Sequence, residues 1–166
     1  LMNRGYTGAE FVALSGRLRK ADPRLALTTD VIVGFPTETD EEFEDTVRVM
    51  QTVGFDSAFI FKYSPRPNTK AAKEMADDVS AKAKTERIVR LNKLQTDISL
   101  GKNKALVGAI QEILIEETGR VQGGAGYGRN DSNKIVTLAQ EDIRPGQFVS
   151  VRITRATPHQ LKGERV

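Results

Sequence analysis

The chain contains no cysteine and a single histidine in 166 residues. Without cysteine it can form no disulfide, no thiolate zinc site, no cysteine nucleophile and no cysteine-held iron–sulfur cluster of its own. His159 has no second candidate ligand close by in the sequence and reads as a surface or packing residue. No run approaches the roughly 18 apolar residues needed to span a bilayer. No charged-then-apolar leader opens the chain either, so it reads as soluble and cytoplasmic, with no membrane partner. The excess of one sign of charge is also small. A net charge of +3 is only a slight bias towards an acidic partner such as nucleic acid, and the excess is denser after residue 104. The opening Leu1 to Gly5 carries no start signal and looks like a cut inside a longer protein.

What is present is a globular composition, 39% hydrophobic, in a length that suits one domain or two small ones. The most organised stretch runs from Thr28 to Thr69. An apolar run, Val31 to Val33, stops at Gly34-Phe35-Pro36. Thr39 and Glu42 then have the spacing of a capping box, with Asp40 and Glu41 placed to meet the positive end of the helix dipole. An amphipathic helix through Phe43, Val47 and Met50 ends at Gly54. A second strand, Ser57 to Tyr63, breaks at Ser64-Pro65-Arg66-Pro67. This is one parallel βαβ unit, and in such units ligands sit at the carboxyl ends of the strands, here Gly34 to Thr39 and Tyr63 to Thr69.

Before this unit, Thr7 and Glu10 form another capping box, stapled by Tyr6 and Phe11. The helix it starts buries Phe11, Leu14 and Leu18 and ends ahead of Asp22-Pro23. Residues 68–79 read as irregular. Ser80 starts a long helix to about residue 104, with a narrow apolar stripe of Ile88, Leu91, Leu94 and Ile98 and a cationic remainder that reads as a solvated face. After Gly101 the periodicity becomes that of strands: Val107 to Glu116, Val121 to Gln122, Ile135 to Ala139 and Phe148 to Thr154. Short strands at this density predict a small closed β-barrel of the oligonucleotide-binding kind. The glycine run Gly123 to Gly128 lacks a phosphate-binding spacing and leads into no helix, so it reads as a flexible connection between strands. The fold class expected is α/β followed by a small antiparallel β-barrel, divided as 1–103 and 104–166.

Three groups of residues invite a functional reading. The six acidic residues from Glu38 to Asp45 suit helix capping and solvation better than a metal site. Asp30 lies within an apolar strand and needs a partner or a wet face. It could form an ion pair, with Lys62 as one candidate, or contact a ligand. Arg120, Arg129, Lys134, Arg152, Arg155 and Lys162, with Tyr127, are interleaved through the expected barrel. They suit phosphate contacts plus one stacking aromatic, or they are ordinary surface cations.

The segments MNRGYT, LTTDVIVGFPTETDEEFEDT, FDSAFIFKYSPRPNTKAA and RITRATPHQLKGERV resemble the radical S-adenosylmethionine methylthiotransferases. Within that family they are most similar to the bacterial tRNA enzymes that place a methylthio group on the isopentenylated adenosine beside the anticodon. The resemblance implies three parts: an N-terminal domain with one 4Fe-4S cluster, a central incomplete (partial TIM-like) α/β barrel whose second 4Fe-4S cluster cleaves S-adenosylmethionine, and a small RNA-binding TRAM barrel. Only the end of the central barrel and the TRAM domain have counterparts here. The cluster cysteines lie upstream in the family, so this chain alone is expected to be inactive and to need the rest of the protein. The partner implied is tRNA, and the sulfur donor stays open. Relatives acting on threonylcarbamoyl-adenosine or on a ribosomal protein are alternatives, as is a purely RNA-binding module with an α/β scaffold.

Carried over onto this sequence, Ile32, Val33 and Gly34 correspond to the strand end that lies along the adenine of S-adenosylmethionine. Tyr63, Ser64 and Arg66 correspond to the next strand end, bordering cofactor and substrate, and Arg4 is a further candidate for a charged contact. The family reads GFPGET and PRPGT where this chain has Thr37 and Asn68. If those turns need positive φ, asparagine tolerates it better than threonine.

Overall fold

The computed structural model describes residue 2 and residues 4–118, 125–139 and 142–166. The chain divides into two compact units, Leu1–Thr96 and Asp97–Val166.

The first unit is α/β. Helix α1 spans Gly8–Ala21, strand β1 Thr28–Val33, helix α2 Asp40–Val53, strand β2 Ser57–Lys62, the short helix α3 Lys70–Glu74, and helix α4 Ala81–Lys104, which continues into the second unit. Both capping boxes form as their spacing predicts. Thr7 and Thr39 each accept from the backbone N–H three residues on, while Glu10 and Glu42 reach back to the threonine N–H. The Tyr6 and Phe11 rings stack with centroids 5.9 Å apart, and Gly54 ends α2 in the left-handed region at φ 58°. Of the α1 residues expected inside, Phe11 is partly buried against the core, whereas Leu14 and Leu18 are exposed. Residues 68–79 are not wholly irregular, because Thr69 caps α3 by accepting from Ala72 N–H.

Strands β1 and β2 pair in parallel, from Thr28 opposite Ser57 to Val33 opposite Lys62. One face of this sheet joins a core of Val33, Phe43, Val47, Met50, Val53, Phe55 and Leu91, with Val31, Ile60, Ile88 and Leu94 packed against it. The other face carries Asp30, Ile32, Phe59 and Phe61. Its aromatic residues stay 64% and 52% exposed, and no layer covers them among the described residues. This register also settles the suggested Asp30–Lys62 pair. Asp30 is opposite Phe59 on the open face, whereas Lys62 is opposite Val33 on the covered face and donates to Thr85 Oγ1 at 2.8 Å. Three residues apart in a period-two strand, the two side chains leave opposite sides of the sheet.

The second unit is a closed barrel in the order β3-β4-β5-β7-β6, with β3 Ile110–Thr118, β4 Ala125–Arg129, β5 Ile135–Ala139, β6 Phe148–Ala156 and β7 Leu161–Arg165. Inward residues alternate along the strands, as Val149, Val151 and Ile153 do on β6, and they enclose a core with Ile113, Ile115, Val136, Leu138, Ile143 and Leu161. Four pairings are antiparallel; β5 and β7 close the barrel in parallel, so it is mixed rather than wholly antiparallel. The expected connection through Gly123 to Gly128 is corrected over residues 125–129, which are strand β4. A Cβ on Gly126 would meet Ile143 and the Glu117 carbonyl, so glycine here permits close strand approach rather than flexibility. The expected strand at Val121 to Gln122 lies outside the described residues.

Candidate functional site

The ends of β1 and β2 are held together by groups that approach from α4. Gly34 follows β1 at φ 71° and is buried. The aliphatic stem of Lys84 lies flat against it. A Cβ added at Gly34 would come within 2.9 Å of Lys84 Cε and nearer still to Cγ. The Lys84 side chain is only 7% exposed and its ammonium pairs with Asp77. Its Nζ also reaches the Tyr63 carbonyl oxygen at 3.5 Å and lies 5.3 Å from the Tyr63 ring centroid. One turn further along α4, Arg87 donates to Glu38 Oε2 at 2.6 Å and to Asp40 Oδ1 at 2.7 Å. Glu38 Oε2 in turn accepts from Gly34 N–H. Burial works against the charge on Arg87, but hydrogen bonding to Asp40 and the charge of Glu38 outweigh it and raise its pKa.

These cations correct the reading of α4 as a solvated cationic face, because Lys84 and Arg87 are among the buried polar residues. The acidic run from Glu38 to Asp45 does more than cap α2. Glu38 and Asp40 bind Arg87, Glu44 binds Arg90, and Asp45 binds Arg48. The Arg90 pair holds the Glu44 carboxyl below the usual carboxylate range. A cleft lined by Asp40, Phe43, Glu44, Glu86, Arg87 and Arg90 has its charged groups bonded mostly to one another.

Both family glycine positions do require the left-handed region, with Thr37 and Asn68 each at φ 70°. Thr37 N–H donates to Asp78 Oδ1 at 2.7 Å, which ties the turn down. A β-branched residue is strained there, whereas asparagine is tolerated. Thr37→Gly is therefore expected to stabilise the protein by up to about 1 kcal/mol, part of the relief being offset by the freer unfolded chain. Asn68→Gly should be near neutral. Thermal unfolding of the two variants side by side checks this, and a lower midpoint for Thr37→Gly would contradict it.

The remaining candidates at this site separate. Ile32 is 38% exposed on the open sheet face beside Gly34. The Val33 side chain is fully buried, so only its backbone is at the strand end, and its carbonyl accepts from Tyr63 N–H at 2.8 Å. Phe35 packs edge-on against Tyr63 at 5.2 Å. Tyr63 Oη is buried with no hydrogen-bond partner among the described residues. Ser64 and Arg66 are exposed in the loop beyond. Arg4 is exposed ahead of α1.

On the barrel the candidate cations differ in how far they are engaged. Arg129 donates to Glu116 and to Asn133, and Tyr127 donates to Glu117 Oε2 at 3.1 Å, a bond that raises the phenol pKa. Lys134 Nζ donates to Asn103 Oδ1 at 3.0 Å, while Asn103 Nδ2 holds the Thr157 carbonyl at 2.8 Å. Arg152 reaches the Gly108 carbonyl. Arg155 on β6 and Lys162 on β7 are exposed and directly opposite each other in the register. Like charges so placed repel, and an anion between them would relieve that. Arg120 lies outside the described residues. His159 is exposed. Phe148, 62% exposed opposite Leu114 on the outer face of the barrel, was not singled out by its sequence.

Residues 104–166, which include the five-stranded closed barrel, match the TRAM domain. Across nearly its whole length the chain is similar to bacterial proteins named tRNA-2-methylthio-N(6)-dimethylallyladenosine synthase. It is 43% identical over 164 residues to the tRNA-2-methylthio-N(6)-dimethylallyladenosine synthase of Syntrophobacter fumaroxidans, covering 99% of this chain and 36% of that protein. The proteins of the same name from Geotalea uraniireducens and Moorella thermoacetica are each 45% identical, over 98% and 100% of this chain and 37% of their own length. The chain thus spans little more than a third of these relatives.

Proposed function

We propose that the chain is the C-terminal part of a radical S-adenosylmethionine tRNA methylthiotransferase, one that adds a methylthio group to C2 of isopentenylated adenosine next to the anticodon. The observation that carries this reading is similarity over 99% and 100% of the chain to two tRNA-2-methylthio-N(6)-dimethylallyladenosine synthases. In this reading residues 1–103 are the end of an incomplete α/β barrel bordering S-adenosylmethionine, and residues 104–166 bind tRNA. The open face of β1 and β2 supports the first assignment. It leaves Ile32, Phe59 and Phe61 uncovered among the described residues, with Ile32 available to an adenine ring. The cluster-ligating cysteines belong to other residues of such an enzyme, since this chain has none, so it is inactive alone.

S-adenosylmethionine would supply the radical chemistry. This chain's residues would supply shape: Ile32 an apolar contact, the strand end at Gly34 a backbone edge, and Ser64 and Arg66 a polar rim with the Tyr63 ring behind it. Among the described residues no helix is long and apolar enough to cross a membrane, and a tRNA substrate places the enzyme in the cytoplasm. Nucleoside analysis of tRNA from a deletion strain tests the assignment. Loss of the methylthio group with the dimethylallyl group retained is expected; loss of another modification, or of none, would sink it.

For RNA, the double variant Arg155→Ala/Lys162→Ala is expected to weaken tRNA binding about tenfold and to lower the salt slope, because two phosphate contacts release counterions. Arg129→Ala should do less, its guanidinium being engaged with Glu116 and Asn133. Binding titrations over a range of salt concentrations measure both, and a double variant binding like the parent would remove this face from the interface.

A further inference from the structure

Gly34 and the Tyr63 carbonyl belong to two different strand-end loops, and one side chain touches both. We propose that Lys84 is a positioning residue that fixes these two strand ends in one geometry, so that S-adenosylmethionine meets a preformed backbone wall. The inference rests on the reading of those strand ends as the S-adenosylmethionine border.

The residue type at position 84 is itself informative. A buried ammonium is costly, and a methionine would fill the space above Gly34 without that cost. What the ammonium adds is direction: it bonds Asp77 and reaches the Tyr63 carbonyl, joining the loop after β2 to the segment before α4. The stem has a separate task. It occupies the space where a side chain at position 34 would stand, so a long stem at position 84 requires glycine at position 34. The next residue, Asp78, holds Thr37 N–H, and Arg87 holds Glu38 against Gly34 N–H. The β1–α2 loop is therefore fastened at Gly34, Thr37 and Glu38, and the loop after β2 is held in this arrangement through Lys84. Asp77, about one-third exposed, is the end of the fastening that solvent reaches.

The test uses the full-length protein with its clusters in place and S-adenosylhomocysteine as the binding probe. Lys84→Met keeps the stem and removes the charge. It is expected to weaken binding of the probe about tenfold, and to raise KM for S-adenosylmethionine by a similar factor with kcat within about threefold, because the wall is loosened and the chemistry is elsewhere. A purely structural role would lower the active fraction, and so kcat, and leave KM and probe affinity unchanged. Asp77→Asn, at a position where folding is less at risk, should reproduce the effect in smaller measure. Parent-like probe affinity in both variants would overturn the role of Lys84. Failure of the parent protein itself to bind the probe would overturn the underlying reading of the site.

Discussion

Gly34→Ala is expected to destabilise the first unit by about 2–5 kcal/mol. Two penalties coincide at this position. The backbone is in the left-handed region, which costs an L-residue about 1–2 kcal/mol. The new Cβ would also overlap the stem of Lys84, which is held by Asp77 and cannot swing away freely, and overpacking of this kind costs about 1–3 kcal/mol. Urea unfolding followed by a probe in the first unit measures the total. Combining the change with Lys84→Ala separates the two parts, because removing the stem should leave only the backbone penalty and make the pair strongly non-additive. Additive effects, or a midpoint equal to the parent, would refute the account.

The second large effect belongs to the barrel. Gly128→Ala should cost at least about 3 kcal/mol and unfold the second unit at temperatures where the parent is intact. The new Cβ would lie 2.8 Å from Ile113 Cγ2 and closer still to the Leu114 carbonyl oxygen. A side-chain clash can be relieved by a rotamer change, but a clash with a strand backbone can be relieved only by spreading β3 from β4. In a closed barrel that displacement is passed to every other pairing. Circular dichroism melting of the variant checks this, and tRNA binding should be lost with the fold. A barrel that melts with the parent would mean that β3 and β4 can separate without penalty.

What could be read from residue order was whatever is decided within a few residues. Thr7 with Glu10, and Thr39 with Glu42, close their hydrogen bonds inside one helical turn, so spacing alone locates α1 and α2. Gly54 is similar, since the end of α2 is settled by one left-handed residue. The departures at Thr37 and Asn68 were legible for the same reason, because a positive φ is a property of one residue.

What could not be read depends on partners far along the chain. Lys84 and Arg87 look like any cations on a polar helix until Asp77, Glu38 and the space above Gly34 are brought to them from up to 50 residues away. The sides taken by Asp30 and Lys62 follow from register, which a strand in isolation does not reveal. Strands β4 and β7 were hidden because glycine occupies inward positions, Gly126, Gly128 and Gly163, where a barrel core normally shows an aliphatic residue. The unfilled hydroxyl of Tyr63 and the exposed ring of Phe148 carry no local signal, as the same residues would serve equally well in a core.

The two sheets differ in one respect that governs how the chain comes apart. Among the described residues the barrel has no edge: each strand is paired on both sides, so no strand can leave without breaking two ladders. Among the described residues the sheet of the first unit has two strands, two open edges and one bare face with Ile32, Phe59 and Phe61 on it. Two strands are close to the minimum that can persist, and their stability rests on the helices packed against one face. Melting of the isolated chain should therefore proceed in two steps, the α/β unit first, exposing an adhesive strand pair while the barrel still stands.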